Sequence, residues 1–434
     1  FFFKQKTAYE IPKRDWSSDV CSSDLKHLTQ IMNSSMFAAV EMAPRDPILG
    51  LTEAFNADTR TSKVNLGVGV YYDDEGRIPL LEAVREAERL RLEKQPARGY
   101  LPIEGFAAYN AAVQALLFGA TSTLVQAGRV ATFEALGGTG GLRIGADFLR
   151  RLLPGSEVWI SDPSWENHRA LFEAAGFKVN AYSYYDAASN GVNFAGMLAS
   201  LRAMPAGAIV VLHACCHNPT GVDLDAAQWA QVVDTVRAGK LVAFLDMAYQ
   251  GFGEGIAEDA VALNLFAGSG LNFLVSSSFS KSFSLYGERV GALSVVTDSA
   301  EETARVVSQV KRIIRTNYSS PPTHGAAVVA AVLSTPALRA IWERELATMR
   351  DRIRAMRTGL VDGLMARGVT RDFGFVIRQR GMFSYSGLTR EQVDVLREQF
   401  GIYAIGTGRI CLAALNSRNI GYVADSIAKV LQGR

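Results

Sequence analysis

The feature that most constrains this chain is a series of short, continuously apolar segments spaced along its middle. They fall at residues 158–161, 208–213, 241–245, 273–276 and 291–296. Helical stretches such as 224–237 lie between several of them. Short, continuously apolar strands separated by helices indicate a mostly parallel sheet buried on both faces. Ahead of them, Pro79 opens an expected helix with Leu80, Leu81, Val84, Ala87 and Leu90 on one face. Leu142, Gly145, Phe148, Leu149 and Leu152 mark a second.

A long helical stretch over 336–366 reads as a connector. Beyond it, expected strands at 375–378 and 382–385, a helix at 390–400, a further strand pair and a final helix near 419–431 make a smaller α/β domain. The expected division of the 434 residues is a non-native leader over 1–35 and an arm with part of the small domain over 36–78. A large domain over 79–348 and a small domain over 349–434 complete it.

Residues 1–25 have no strand or helix periodicity and resemble the translation of a short sequencing adapter. They are set aside as artefact, with Met36 or Met32 as the expected native start. Lys plus Arg is 45 and Asp plus Glu 43, a formal charge of +2. That balance argues against a nucleic-acid or membrane-surface binder held by bulk charge. No run approaches the roughly 20 apolar residues of a membrane helix. Outside the leader the cysteines are Cys215, Cys216 and Cys411. An odd number with two adjacent is no disulfide framework, which favours a reducing cytoplasm. His213 and His217 flank the cysteine pair, but HExxH is absent and Pro219 opposes a helix, so no metal site is expected.

Several strand ends carry residues with chemical potential. The run Leu136-Gly137-Gly138-Thr139-Gly140-Gly141 fits either a tight turn or a phosphate cradle at a helix N-terminus. Lys281 follows Ser276-Ser277-Ser278-Phe279-Ser280 at the end of an apolar strand, where α/β sheets bind ligands, though an isolated lysine fits a solvated loop as well. Arg289 offers a fixed cation eight residues on. Asp246 ends another strand, with Tyr249 three residues later, and is either a helix cap or a counter-ion. Asn218-Pro219 is a turn signal after a further strand. Trp165, in Asp162-Pro163-Ser164-Trp165-Glu166-Asn167-His168, is either core or a stacking face. Arg409, in an apolar strand, needs an anion, from a salt bridge or from a substrate carboxylate.

Taken in order, Cys216-His217-Asn218-Pro219-Thr220-Gly221, Asp246-x-x-Tyr249, Ser278-x-Ser280-Lys281, Arg289 and Arg409 resemble the class I pyridoxal-phosphate aminotransferases. The likeness runs from Met36 to the C-terminus. Asp46-Pro47-Ile48-Leu49-Gly50, the run from Asn65 to Tyr71, and Arg315-x-Asn317-Tyr318-Ser319-Ser320-Pro321-Pro322 narrow it to the bacterial aspartate and aromatic-amino-acid (tyrosine) branch. The resemblance implies the fold type I of pyridoxal-phosphate-dependent transferases. It also implies a cytoplasmic homodimer with shared active sites and the cofactor pyridoxal 5'-phosphate. By resemblance, Lys281 forms the internal Schiff base and moves the proton at the substrate α-carbon. Asp246 pairs with the pyridinium nitrogen, supported by His168. Tyr249 and Asn218 bond the ring oxygen, and Trp165 stacks on the ring. Gly138, Thr139, Ser278, Ser280 and Arg289 hold the phosphate, joined by Tyr100 of a neighbouring subunit. Arg409 takes the α-carboxylate with Gly69 close by, while Arg315, also from the neighbour, meets a side-chain carboxylate.

The implied activity is ping-pong transamination of tyrosine, phenylalanine and aspartate with 2-oxoglutarate, the alternative being an aspartate-specific enzyme. Ser320 and the Asp162–His168 run look more like the aromatic enzymes. A decarboxylase or lyase of the same fold would not need Arg315 together with Arg409. A cofactor-binding regulator would carry a DNA-binding module, and the sequence has no helix-turn-helix pattern or basic segment.

Overall fold

The computed structural model describes residues 35–43 and 49–433. The leader read over 1–35 and the Asp46-Pro47-Ile48 part of the first motif therefore lie outside the described residues, Ser35 excepted. From residue 49 onward the described chain is one compact unit.

Its centre is a seven-stranded sheet. The strands are β1 (Val130–Leu136), β2 (Val158–Asp162), β3 (Val179–Ser183), β4 (Ile209–His213), β5 (Val242–Met247), β6 (Phe273–Ser278) and β7 (Val290–Val296). The order across the sheet is β1-β7-β6-β5-β4-β2-β3. Five neighbouring strands run parallel, and β7 lies antiparallel between β6 and β1. The five apolar segments all lie in this sheet, and β4, β6 and β7 are buried throughout. Register aligns His213 with Asp246 and Asp246 with Ser276, so three strands end at one level. Two strands, β1 and β3, are additions to the sequence reading. Polar residues break their apolar runs. Thr132 of β1 hydrogen-bonds Ser294 at 2.9 Å, and β3 is an edge strand with a half-wet face.

Helix α1 (Gly137–Leu152) lies against the sheet. It begins within the glycine run, not after it as the apolar spacing suggested. A Cβ on Gly141 would stand 2.8 Å from the carbonyl oxygen of Ala292, and one on Gly145 2.4 Å from the Phe244 ring. Those glycines let helix and sheet approach this closely.

The helix expected from Pro79 starts later, at Glu82, and ends at Lys94. Leu80 is exposed and Leu81 is extended and buried. The Glu345 carboxylate accepts the N–H groups of Glu82 and Ala83 at 2.6 and 3.1 Å, so the first turn is capped from a distant part of the chain. Other helices used below are α2 (Glu166–Ala174), α3 (Ala300–Asn317) and α4 (Pro336–Ala366). Glu345 belongs to α4, which matches the expected connector.

The segment 375–378 is a helical turn rather than the expected strand. Asp372 Oδ1 accepts the N–H of Gly374 at 2.6 Å and starts the turn. Strand β8 (Phe383–Tyr385) pairs antiparallel with β10 (Arg409–Cys411), while β9 (Ile402–Tyr403) pairs parallel with Val64–Asn65. The helices Arg390–Phe400 and Ile420–Leu431 match expectation. Among the described residues no single helix is long and apolar enough to cross a membrane. The apolar helix His324–Ser334 bends by 100° into α4.

Candidate active site

Strand ends and two flanking segments enclose a cavity of about 210 Å³. From β5 comes Asp246, with Tyr249 in the turn beyond it; β6 ends in Ser278 and continues to Ser280 and Lys281. The first turn of α1 adds Gly138 and Thr139, and the residues before β7 add Arg289. Asn218 arrives from the loop after β4, Trp165 from the loop after β2, Gly69 from the segment after Val64–Asn65, and Arg409 from β10. Ten residues named from strand ends and two from distant segments thus line one space at a switch point of the sheet.

Asp246 is buried, and its Oδ2 lies 2.9 Å from Nε2 of His168, whose Nδ1 lies 2.9 Å from Oγ of Ser164. Burial pushes the carboxyl up, but the hydrogen bond and charge of His168, with help from Lys281, hold it below its ordinary value. His213 lines the cavity beside this pair and has no hydrogen-bond partner at either nitrogen. Burial, then His168, pushes it down to about 3, so it is neutral. His217 is also occupied: Nε2 lies 2.9 Å from Ser161 Oγ and Nδ1 2.8 Å from Thr220 Oγ1. Among the described residues, Cys215, Cys216 and Asp259 bring ligand atoms within 4.8 Å of one another. Three backbone N–H groups, of Gly251, Gly253 and Glu254, already engage Asp259.

The Lys281 amine lies 4.9 Å from the centre of the Tyr249 ring. Burial pushes it down to about 8, Arg289 adds to the drop, and Asp246 opposes it. Such an amine is available as a nucleophile and base near neutral pH. Burial also raises the Tyr249 phenol above its ordinary value.

At one end the site is built for an anion. Helix α1 has no side-chain cap, so the N–H groups that follow Gly137 in its first turn meet no capping side chain. Arg289 adopts φ 56, donates to Ser280 Oγ at 3.2 Å and to the carbonyl of Tyr286 at 3.0 Å, and accepts the Gly137 N–H at its own carbonyl. A Cβ on Gly137 would sit 2.4 Å from Arg289 Nη2, so glycine lets the guanidinium rest on the helix start.

Arg409 forms a second anion position. It is only 1% exposed and donates to Asn218 Oδ1 at 3.2 Å and to the Gly67 carbonyl at 2.7 Å. Phe383 covers its guanidinium face at 4.5 Å. Nε is buried and has no partner, and the nearest carboxylate, Glu166, is 3.8 Å away. A buried cation held by neutral groups with a donor to spare fits an incoming carboxylate.

Two expected residues are elsewhere. Tyr100 is 98% exposed, and Arg315 is exposed near the end of α3, touching Ser319 Oγ. Neither lines the cavity of its own chain. Tyr286 and Phe383 do line it and were missed. The Tyr286 hydroxyl accepts the Tyr71 N–H at 2.9 Å. Its place three residues before Arg289 was the available signal; for Phe383 the apolar segment at 382–385 gave none.

The residues present fit pyridoxal phosphate: a helix start with Arg289 for a phosphate, a buried carboxylate for a ring nitrogen, and a buried amine near an aromatic wall. The family model for "Aminotransferase class I and II" matches residues 61–427. An aspartate aminotransferase of Pseudomonas aeruginosa is 68% identical over 92% of this chain and all of its own length. An aromatic-amino-acid aminotransferase of Escherichia coli is 53% identical over 91% of this chain and all of its own. The crystal structure of an aromatic-amino-acid aminotransferase from Burkholderia pseudomallei, covalently bound to pyridoxal phosphate, superposes with a TM-score of 0.90. It is 69% identical and covers 92% of this chain and all of that one. The match across nearly the whole described chain, centred on a site assembled from its own strand ends, means that this chain belongs to the class I and II aminotransferase family.

Proposed function

We propose that this chain transfers amino groups from tyrosine, phenylalanine and aspartate to 2-oxoglutarate with pyridoxal phosphate. The observation that carries the reading is the joint placement of Lys281, Asp246 and Arg409 on one cavity. When bound, the cofactor supplies an electron sink that acidifies the α C–H of an amino acid. Asp246, kept ionised by His168, would hold a ring nitrogen protonated. Gly138, Thr139, Ser278, Ser280 and Arg289 would hold the phosphate, Asn218 and Tyr249 the ring oxygen, and Trp165 a ring face. Lys281 would anchor the cofactor, and its buried Nζ, with a pKa pushed down to about 8, would serve as the base that takes and returns the α-proton of the substrate. Arg409 orients the α-carboxylate beside Gly69, while Phe383 shields that pair from water.

The same reading makes the working unit a homodimer. Tyr100 would complete the phosphate site of a partner, and Arg315 would meet a dicarboxylate side chain there. Their exposure supports this. The domain division at 79–348 and 349–434, with 36–78 feeding the second, is part of the proposal. The pairing of Val64–Asn65 with Ile402–Tyr403 supports it.

The Pseudomonas aeruginosa relative is named an aspartate aminotransferase and the equally similar Burkholderia pseudomallei protein an aromatic-amino-acid aminotransferase, so their names do not separate the dual reading from the aspartate-specific one. A donor panel with 2-oxoglutarate decides. Turnover of phenylalanine, tyrosine and aspartate is expected; aspartate alone would establish the aspartate-specific enzyme. Borohydride should fix the cofactor on the peptide carrying Lys281, and label on another lysine would remove the assignment. Lys281→Ala should lower turnover by at least about a thousandfold.

A further inference from the structure

Helix α4 and the segment ahead of β8 enclose a second cleft, of about 160 Å³, outside the candidate active site. Arg350, Arg354 and Arg357 enter it from one face of α4, spaced by four and three residues; Arg378 and Arg380 enter from the facing segment. One carboxylate lines it. Glu254 Oε1 lies 3.2 Å from Arg380 Nε, and Oε2 contacts Arg354 Nη2. Asp351, well exposed, stands 3.8 Å from Arg350 Nε and from Arg354 Nη1.

The remaining hydrogen-bond partners are neutral, and the buried Asp223 carboxylate behind the cleft acts on Arg357 and Arg380 without a direct contact. Arg357 is 2% exposed, and its Nη groups donate to the carbonyls of Val376, Gly381 and Phe383 at 2.9, 2.8 and 2.7 Å. Carbonyl oxygens satisfy its N–H groups but not its charge, and burial pushes it down to about 10. Arg350 donates to the Gly251 carbonyl at 3.0 Å, and its Nε is buried without a hydrogen-bond partner. Arg378 makes no ion pair among the described residues. Five arginines and one carboxylate therefore line a compact cleft, with the Arg357 guanidinium turned to backbone carbonyls at its floor. Forked guanidinium donors match the oxygens of a tetrahedral dianion.

We propose that this cleft binds a phosphate group, as the free anion or as a small monoester. Glu254 is the internal competitor, holding Arg354 and Arg380 until the dianion displaces it. The site has a direct connection to the first. The Arg380 N–H donates to the Gly221 carbonyl at 2.6 Å, in the loop of Asn218, and Arg357 holds the carbonyl of Phe383, whose ring covers Arg409.

The holoenzyme should be titrated with inorganic phosphate and, separately, with glycerol 3-phosphate, by calorimetry at low ionic strength. Saturable binding of one anion per chain is expected, and the tighter of the two ligands identifies the source. Arg354→Gln and Arg378→Gln should each weaken binding by about tenfold or more, and Glu254→Gln should tighten it. Circular dichroism and urea midpoints check that the variants fold, and Arg378 is exposed, so its loss leaves the core intact. Arg289→Gln is the control for the candidate active site. Absence of saturable binding overturns the proposal. So does binding unchanged by Arg354→Gln and Arg378→Gln, or binding that is lost in Arg289→Gln instead.

Discussion

Glu134 on β1 is buried to 2% exposure, and its Oε2 accepts the Phe106 N–H at 3.1 Å. Burial pushes its carboxyl from 4.5 up to about 7, the backbone hydrogen bond opposing. The folded state therefore keeps a proton that the unfolded chain releases at lower pH. Stability from this group is full below pH 4.5, falls as pH rises, and is lost above about 7. Glu134→Gln should gain stability at pH 8, roughly 3 kcal/mol at most, and little at pH 4. Urea midpoints at the two pH values measure it; equal effects at both would show that the carboxyl is ionised throughout. Arg409 and Arg315 make a second contrast. Arg409→Ala should damage turnover of every donor. Arg315→Ala should cost aspartate about tenfold or more and phenylalanine far less, because only the dicarboxylate leaves an unpaired charge. A panel of kcat/KM values on the two variants checks both.

Elements show how far the sequence could be read. The five apolar strands needed no tertiary information, since burial on both faces writes itself as an unbroken apolar run. Lys281, Asp246 and Arg289 were legible because their neighbours are part of a long ordered motif. The start of the Glu82–Lys94 helix was not legible, because its cap is Glu345, more than two hundred residues away. Glu345→Gln should weaken that start by about 1 kcal/mol, read as a lower urea midpoint; an unchanged midpoint would mean that water caps the turn equally well. Strand β1 was hidden by Thr132 and Glu134, buried polar residues that resemble a wet face. The turn at 375–378 was misread as a strand because four apolar or long side chains carry no period. Phe383 escaped notice because a ring that covers an arginine looks in sequence like any core residue.

At the scale of the whole molecule, the cavity of one chain is an incomplete version of the proposed site, since Tyr100 and Arg315 stand exposed away from it. Mixing Arg315→Ala chains with Lys281→Ala chains should restore one intact site per hybrid, with aspartate as donor. Hybrids that form without any recovered activity would count against shared sites. A Tyr100 almost fully open to solvent then has a consequence for synthesis in the cell. With shared sites as proposed, a newly made chain would be idle until it meets another, so output at low expression would grow with the square of chain concentration and become proportional only once pairing saturates. Halving expression would then cost more than half of the flux, which gives such an enzyme a threshold that a self-sufficient monomer lacks.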